Sequence, residues 1–413
     1  MKKIAFISVC SLILFAACFS PYTGDESVIT INFGSSALAV YPLTPGESID
    51  EFLPYLDHQI TLTGPTGTHK YTRKGSSVKL YVAPGSWEVQ VTDTCGGIPF
   101  ASSAVETIDV KRGENNAVSI KMNPDGTTTF HTVKSETEWT ALSLVGDNCI
   151  ILTESFSTGA SVAFGGATVT IIGNGKTITY DMTGYCFNLA SGISVTIKDV
   201  HLKGNSSNTS PLVNINGGSF TMDSGRIYGN GELGVRVFGG SFTMNGGTIS
   251  GNNNNGVNVD GGRFTMNNGT ISGNTLLGVQ INDSGAEFIM EGGTISGNSG
   301  GVGIIAGTFT MKNGTISGNT NNTNGGGVNI SNNGTFNMEG GTITKNTANL
   351  NGGGVYVEGT AGVAATFIMT RGTISGNTAG SGKSLYVGDN ATATIGSDTY
   401  NIAGTTIETN ISR

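Results

Sequence analysis

Several stretches of this chain carry residue types that do chemistry in other settings. "GNSGG" at 297–301 puts Ser299 in a serine-nucleophile string, and a nucleophilic serine needs a histidine base within hydrogen-bond reach. The histidines are His58, His69, His131 and His201, and His201 precedes Ser299 by some four repeat units, so no base is expected. "GNGKT" at 173–177 imitates the end of a phosphate-binding loop. Thr170 stands where that loop needs glycine, and the residues after it read as a strand instead of a helix. The glycine-rich turns contain no aspartate, which argues against repeated calcium sites. No metal and no cofactor is expected.

Two sets of side chains remain. Asn230, Asn252, Asn274, Asn298, Asn319, Asn346 and Asn377 recur in one register, each closing a heptad such as "GGTISGN" (246–252). Invariance across seven units favours an internal structural ladder over a glycan-facing row, because a site usually makes one unit different. The candidate ligand-binding patch is Tyr356 and Tyr386, expected at one outward position, with Glu358, Arg371 and Asp389 nearby. The tyrosines could stack on a sugar ring or a partner, or form a cross-strand pair that stabilises the last units.

The elements that position these residues follow from a repeat. Phe220, Phe242, Phe264, Phe288, Phe309, Phe336 and Phe367 are spaced by 22, 22, 24, 21, 27 and 31 residues. An isoleucine follows each by seven, from Ile227 to Ile374, and pairs such as Val235/Val237 and Val257/Val259 close most units. Three short strands with one or two apolar residues each cannot bury a core alone, so the units must stack as coils of a parallel β-helix. The pattern extends back through "ATVTIIGNGKTITYD" (167–181), which predicts about ten coils and a rod of roughly 50 Å. Thr221, Thr243, Thr265 and Thr310 alternate outward, as do Thr248, Thr270, Thr294 and Thr315. Insertions fall mainly at one corner, "NTNNTNGGG" (319–327) and "NTANLNGGG" (346–354).

With "GGTI" (246–249, 292–295, 340–343) and "FTMN" (242–245, 264–267), the repeats resemble polymorphic outer-membrane protein repeats within the right-handed parallel β-helix, pectin-lyase-like superfamily. That resemblance covers roughly 145–400. It implies the fold far more strongly than an activity, since the superfamily holds enzymes, adhesins and structural spikes. The Asp-Asp, Gly-His-Gly and Arg-x-Lys signatures of its pectin-cleaving members are missing. The acids Asp223, Glu232, Asp260, Asp283, Glu287, Glu291, Glu339, Glu358 and Asp389 read as scattered. Arg263 with Glu287, and Glu291 with Lys312 and Glu339, read as exposed inter-coil pairs worth little. No membrane barrel is visible through "TNISR", so an autotransporter mechanism is not implied.

The first part reads differently. Residues 25–123 alternate with period two between Pro-Gly and Gly-Glu-Asn turns, which predicts a small antiparallel β-sandwich. Its "LYVAPGSWEVQV" hairpin resembles Ig-like and carboxypeptidase-regulatory-like modules. Residues 124–134 read as a linker. The β-helix is assigned to 135–413, opened by a lid helix that Ser135 and Glu138 cap and that presents Trp139 and Leu142.

"MKKIAFISVCSLILFAACFS" has two lysines, a short apolar run and small residues before a cysteine. It resembles a bacterial lipoprotein signal over residues 1–18, with Phe15-Ala16-Ala17-Cys18 in the lipobox. Phe at the first box position departs from the usual Leu or Val. Cys18 would be the lipidated residue, and Phe19 after it favours the outer membrane or cell surface by resemblance. Cys95, Cys149 and Cys186 are scattered singly and read as buried small apolar groups. Net charge is −8 with no basic block after the first three residues, which argues against nucleic acid as a partner. The expected function is a cell-envelope lipoprotein, held to the membrane by its lipid, that presents a non-catalytic binding, adhesion or structural surface to a glycan or protein. The alternative is a polysaccharide lyase or glycoside hydrolase on the same scaffold.

Overall fold

The computed structural model describes residues 27–33, 49–124, 127–401 and 404–413. The proposed signal peptide, with Cys18, lies outside them. The chain forms two compact units, which divide near residue 126.

In the first unit, Ser77–Val82, Ser27–Asn32 and Asn115–Ser119 form one sheet. Gly67–Arg73, Leu56–Gly64, Gly85–Cys95, Ile98–Ser103 and Met122–Pro124 form a second, with Glu106–Val110 also paired to Gly85–Cys95. Among the described residues all pairings of this unit are antiparallel except one: Ser27–Asn32 and Asn115–Ser119, from opposite ends of the unit, run parallel. The alternation of Gly85–Cys95 turns Trp87, Val89 and Val91 inward. The buried His58 stacks on Phe33 with ring centroids 3.8 Å apart. Its Nδ1 lies 2.7 Å from Asp93 and its Nε2 lies 2.9 Å from the Gly75 carbonyl. The carbonyl can only accept, so Nε2 carries a hydrogen and the His58–Asp93 contact shares one more.

The second unit is a parallel β-helix of about ten turns. Each coil lays its residues on their equivalents in the next. Phe242, Phe264, Phe288, Phe309, Phe336 and Phe367 fall in one register, as do Ile249, Ile271, Ile295, Ile316, Ile343 and Ile374. Ring centroids from Phe264 through Phe336 repeat every 4.7 Å, the spacing of the backbone ladder. Where the sequence period is loose, so is the stack: Phe187 meets Phe220 at 6.3 Å and 68°. The isoleucine strands make one sheet, and the valine and phenylalanine strands make the other. In coils such as Val235–Met244 and Val328–Met338 the latter two are a single continuous strand. Three separate strands per coil is therefore too fragmented a description there.

The glycine before each Thr-Ile is set by a close approach. Gly247 has φ +84°, and a Cβ there would stand 2.5 Å from Met222 Cε of the preceding coil. The methionine fills the space a side chain would need.

Both ends of the ladder are covered. Thr129–Val133 pairs parallel with Asp147–Leu152, so the β-helix begins inside the stretch read as a linker; Val133 turns into its core. Ser135 Oγ accepts the Glu138 N–H at 3.4 Å, while Glu138 accepts the N–H of Lys134 rather than that of Ser135. The helix Glu136–Ala141 buries Trp139 against Phe156 and Phe187. At the other end the chain reverses. Asp398–Tyr400, Thr405–Ile407 and Ile411–Ser412 pair antiparallel with one strand from each part of the last turns, which occupies edges that would otherwise template further pairing.

In six coils the heptad's penultimate residue is a left-handed glycine, with φ between +62° and +69°. Lys345 occupies that position in "GGTITKN" with φ +56°. A side chain there costs about 1–2 kcal/mol, so Lys345→Gly is expected to raise β-helix stability by about 1 kcal/mol after the larger unfolded-state entropy of glycine is deducted. Thermal unfolding of the two proteins checks this.

Candidate functional site

The seven heptad asparagines form a continuous buried amide ladder. Asn274 Oδ1 accepts from the backbone N–H of Asn252 at 3.2 Å and from its Nδ2 at 2.9 Å. The same pair of bonds joins Asn274 to Asn298, Asn298 to Asn319, Asn319 to Asn346 and Asn346 to Asn377. From Asn274 on, each Nδ2 also donates to an isoleucine carbonyl of the preceding coil, as from Asn319 to Ile295. The ladder reaches one coil further back than the heptads show, since Asn208 Nδ2 donates to Asn230 Oδ1. All seven are at most 6% exposed, so their amides do not face a ligand.

The proposed tyrosine patch is only partly assembled. Tyr356 and Tyr386 stack, with centroids 5.4 Å apart. Tyr356 is only 6% exposed, not openly outward, because the corner "NGGG" folds back over it. A Cβ on Gly352, at φ +66°, would stand 2.7 Å from Tyr356 Cβ, which is why that corner is glycine. The Tyr356 hydroxyl donates to Glu358. Burial first, then this carboxylate with Tyr386 and Asp389, pushes the phenol well above its usual range, so it stays protonated. Glu358 in turn lies over Gly388. The exposed Asp389 is therefore near, but the exposed Arg371 sits at the corner between the strands Ala365–Met369 and Thr373–Ser375 and joins no bond to the pair. The patch lacks its cation.

A longer feature, which the sequence reading missed, runs along the coils. The central residues of the valine strands, whose neighbours point inward, line up in one column: Asn188, Asn214, Arg236, Asn258, Gln280, Gly303, Asn329, Tyr356 and Tyr386. Nearly all are planar groups, amide, guanidinium or phenol, at ladder spacing. The signal was present in triplets such as "VRV", "VNV" and "VQI", whose flanks were read and whose centres were not; only the two tyrosines at the end of the column were singled out.

Beside this column, where Arg236 and Asn258 lie, an open groove of about 530 Å³ is lined among others by Tyr185, Pro211, Glu232, Leu233, Asp260 and Asp283. Glu232, Asp260 and Asp283, scattered in the sequence, thus share one concavity. Arg236 Nε donates to Asp260 Oδ2 at 2.6 Å, and Asn282 Nδ2 donates to Asp260 Oδ1 at 2.6 Å. Asn254 Nδ2 lies 2.8 Å from both oxygens of Glu232. The guanidinium lies over the Phe238 ring at 4.9 Å.

Other candidates resolve simply. Among the described residues no three His, Cys, Asp or Glu side chains converge on a metal position. Cys95, Cys149 and Cys186 are buried and unbridged; burial pushes the Cys186 thiol up to about 12, which leaves no thiolate for nucleophilic work. Arg263 pairs with Glu287 at 2.6 Å and Lys312 with Glu291 at 2.7 Å, both across coils and largely exposed.

The ladder's role sets a test by unfolding. Asn298→Ala orphans two buried donors of Asn274 and is expected to cost about 3–5 kcal/mol. Asn267→Ala, in an exposed asparagine column, should cost about 0.5 kcal/mol or less. No family model, no curated protein and no solved structure matches this chain.

Proposed function

We propose that the second unit is a non-catalytic binding surface for an extended glycan, carried by a cell-envelope lipoprotein anchored through Cys18. The observation that carries the binding reading is the column from Asn188 to Tyr386: planar side chains repeated along the ladder, next to an open groove. Amides, guanidinium and phenols satisfy sugar hydroxyls and stack on sugar rings, and a repeating surface suits a repeating polymer. The lipobox-like Phe15-Ala16-Ala17-Cys18 supports the anchor, and the resemblance to polymorphic outer-membrane repeats supports display on the envelope.

The enzymatic alternative draws on the gathering of Glu232, Asp260 and Asp283 in one groove, since glycosidases work with paired carboxylates. Asp260, however, commits one oxygen to Arg236 and the other to Asn282. With both oxygens engaged, neither is free to reach a reacting group, which opposes a catalytic role for it.

Purified protein offered a panel of neutral and acidic polysaccharides, with and without calcium, should retain at least one and release no shorter product from any. Turnover that disappears in Glu232→Gln or Asp283→Asn would overturn the non-catalytic reading. For the anchor, Cys18→Ser should abolish incorporation of labelled palmitate and move the protein to the soluble fraction; unchanged labelling would refute it.

A further inference from the structure

Within that column the groove at Arg236 differs from the rest by being a fixed and incompletely satisfied polar site. Arg236 is held from two sides, by Asp260 at Nε and by the Phe238 ring. Among the described residues its terminal guanidinium nitrogens have no partner, and the same is true of the Gln280 amide one coil beyond Asn258. One coil before Arg236, Asn214 donates to Asn188 at 2.8 Å, yet its Oδ1 is buried without a donor. Pro211, Leu233 and Tyr185 line the same groove with apolar surface, suited to the C–H face of a sugar ring.

Charge then selects the class of ligand. Three carboxylates, Glu232, Asp260 and Asp283, face one guanidinium in the lining. The net negative charge opposes an anionic sugar, while a cation would meet Arg236 at the centre. The geometry points to a subsite for a neutral sugar, a hexose or N-acetylhexosamine unit, with Arg236 and Asn258 donating to its oxygens and Asp260 acting as the positioning residue for Arg236. This rests on the reading of the column as a glycan-binding face and adds to it a place and a selectivity.

Titration calorimetry of the whole protein with cellohexaose, chitohexaose and hexagalacturonate tests it. A neutral hexasaccharide should bind, with affinity nearly unchanged in about 0.5 M salt. Arg236→Ala and Asn258→Ala should each weaken it about tenfold or more, while Thr294→Ala, on the isoleucine-strand sheet, should leave it unaltered. If Arg236→Ala fails to fold, the double change Arg236→Ala with Asp260→Ala removes both partners of the pair and gives the same reading. Preference for hexagalacturonate overturns the inference. Neutral-sugar binding that survives the groove substitutions overturns it too, but leaves the glycan-binding face standing. Failure of all three oligosaccharides to bind sinks both.

Discussion

A buried amide at one corner of each coil from Asn208 to Asn377 is the interaction on which most of the β-helix depends. Where the isoleucine strand ends, the backbone turns through a left-handed residue, and the next N–H has lost its strand partner. The asparagine Oδ1 of the following coil takes up that N–H together with the side-chain Nδ2, as Asn298 does for Asn274. Because one carbonyl serves two donors of its neighbour, each asparagine must stand directly over the last. That single requirement keeps Phe over Phe and Ile over Ile, since strands joined to the same corner can no longer slip in register.

Length variation is consequently kept to the corners: most extra residues enter after the asparagine and before the valine strand, and a second insertion, 359–364, separates the valine and phenylalanine strands of one coil. At the former corner Thr320–Asn321 and Thr347–Ala348 pair as a small ladder of their own, and the glycine run brings the chain back over Tyr356. The core is undisturbed by such insertions, because the residues they add lie outside the stacked positions. The ends are treated differently from the body. A tryptophan-bearing helix closes one and an antiparallel return closes the other, so the stack is bounded rather than open to indefinite addition.

The constraint that builds the core also builds the surface. Stacking in register converts each outward position into a column, and the chemistry of a column is whatever residue type each coil supplies. On the isoleucine strands this gives threonine and serine; on the valine strands it gives amides, one guanidinium and two phenols. The column departs from its amide pattern at Arg236, where the groove lies, at Gly303, which offers no side chain, and at Tyr356 and Tyr386, where an internal hydrogen bond and a folded-back corner use up much of what the side chains offer.

The fold was legible from the chain because it rests on periodicity. Residues seven apart in each unit, and units about 22 apart, could be aligned by eye, and Phe, Ile and Asn each have one physical reason to recur. The continuous valine–phenylalanine strands and the start at Thr129 escaped that reading, since periodicity marks inward positions and not where one strand gives way to the next. The site was far less legible. Glu232, Asp260 and Asp283 look scattered because one coil of chain separates neighbours that end up side by side, and Arg371, though close in sequence to the tyrosine coils, is turned to another corner. The residues alone determined which positions face inward, because burial demands it on every coil. Which outward groups meet, and which are already engaged with one another, only the tertiary structure decided, because those contacts run across coils and depend on corner geometry and rotamers that no repeat encodes.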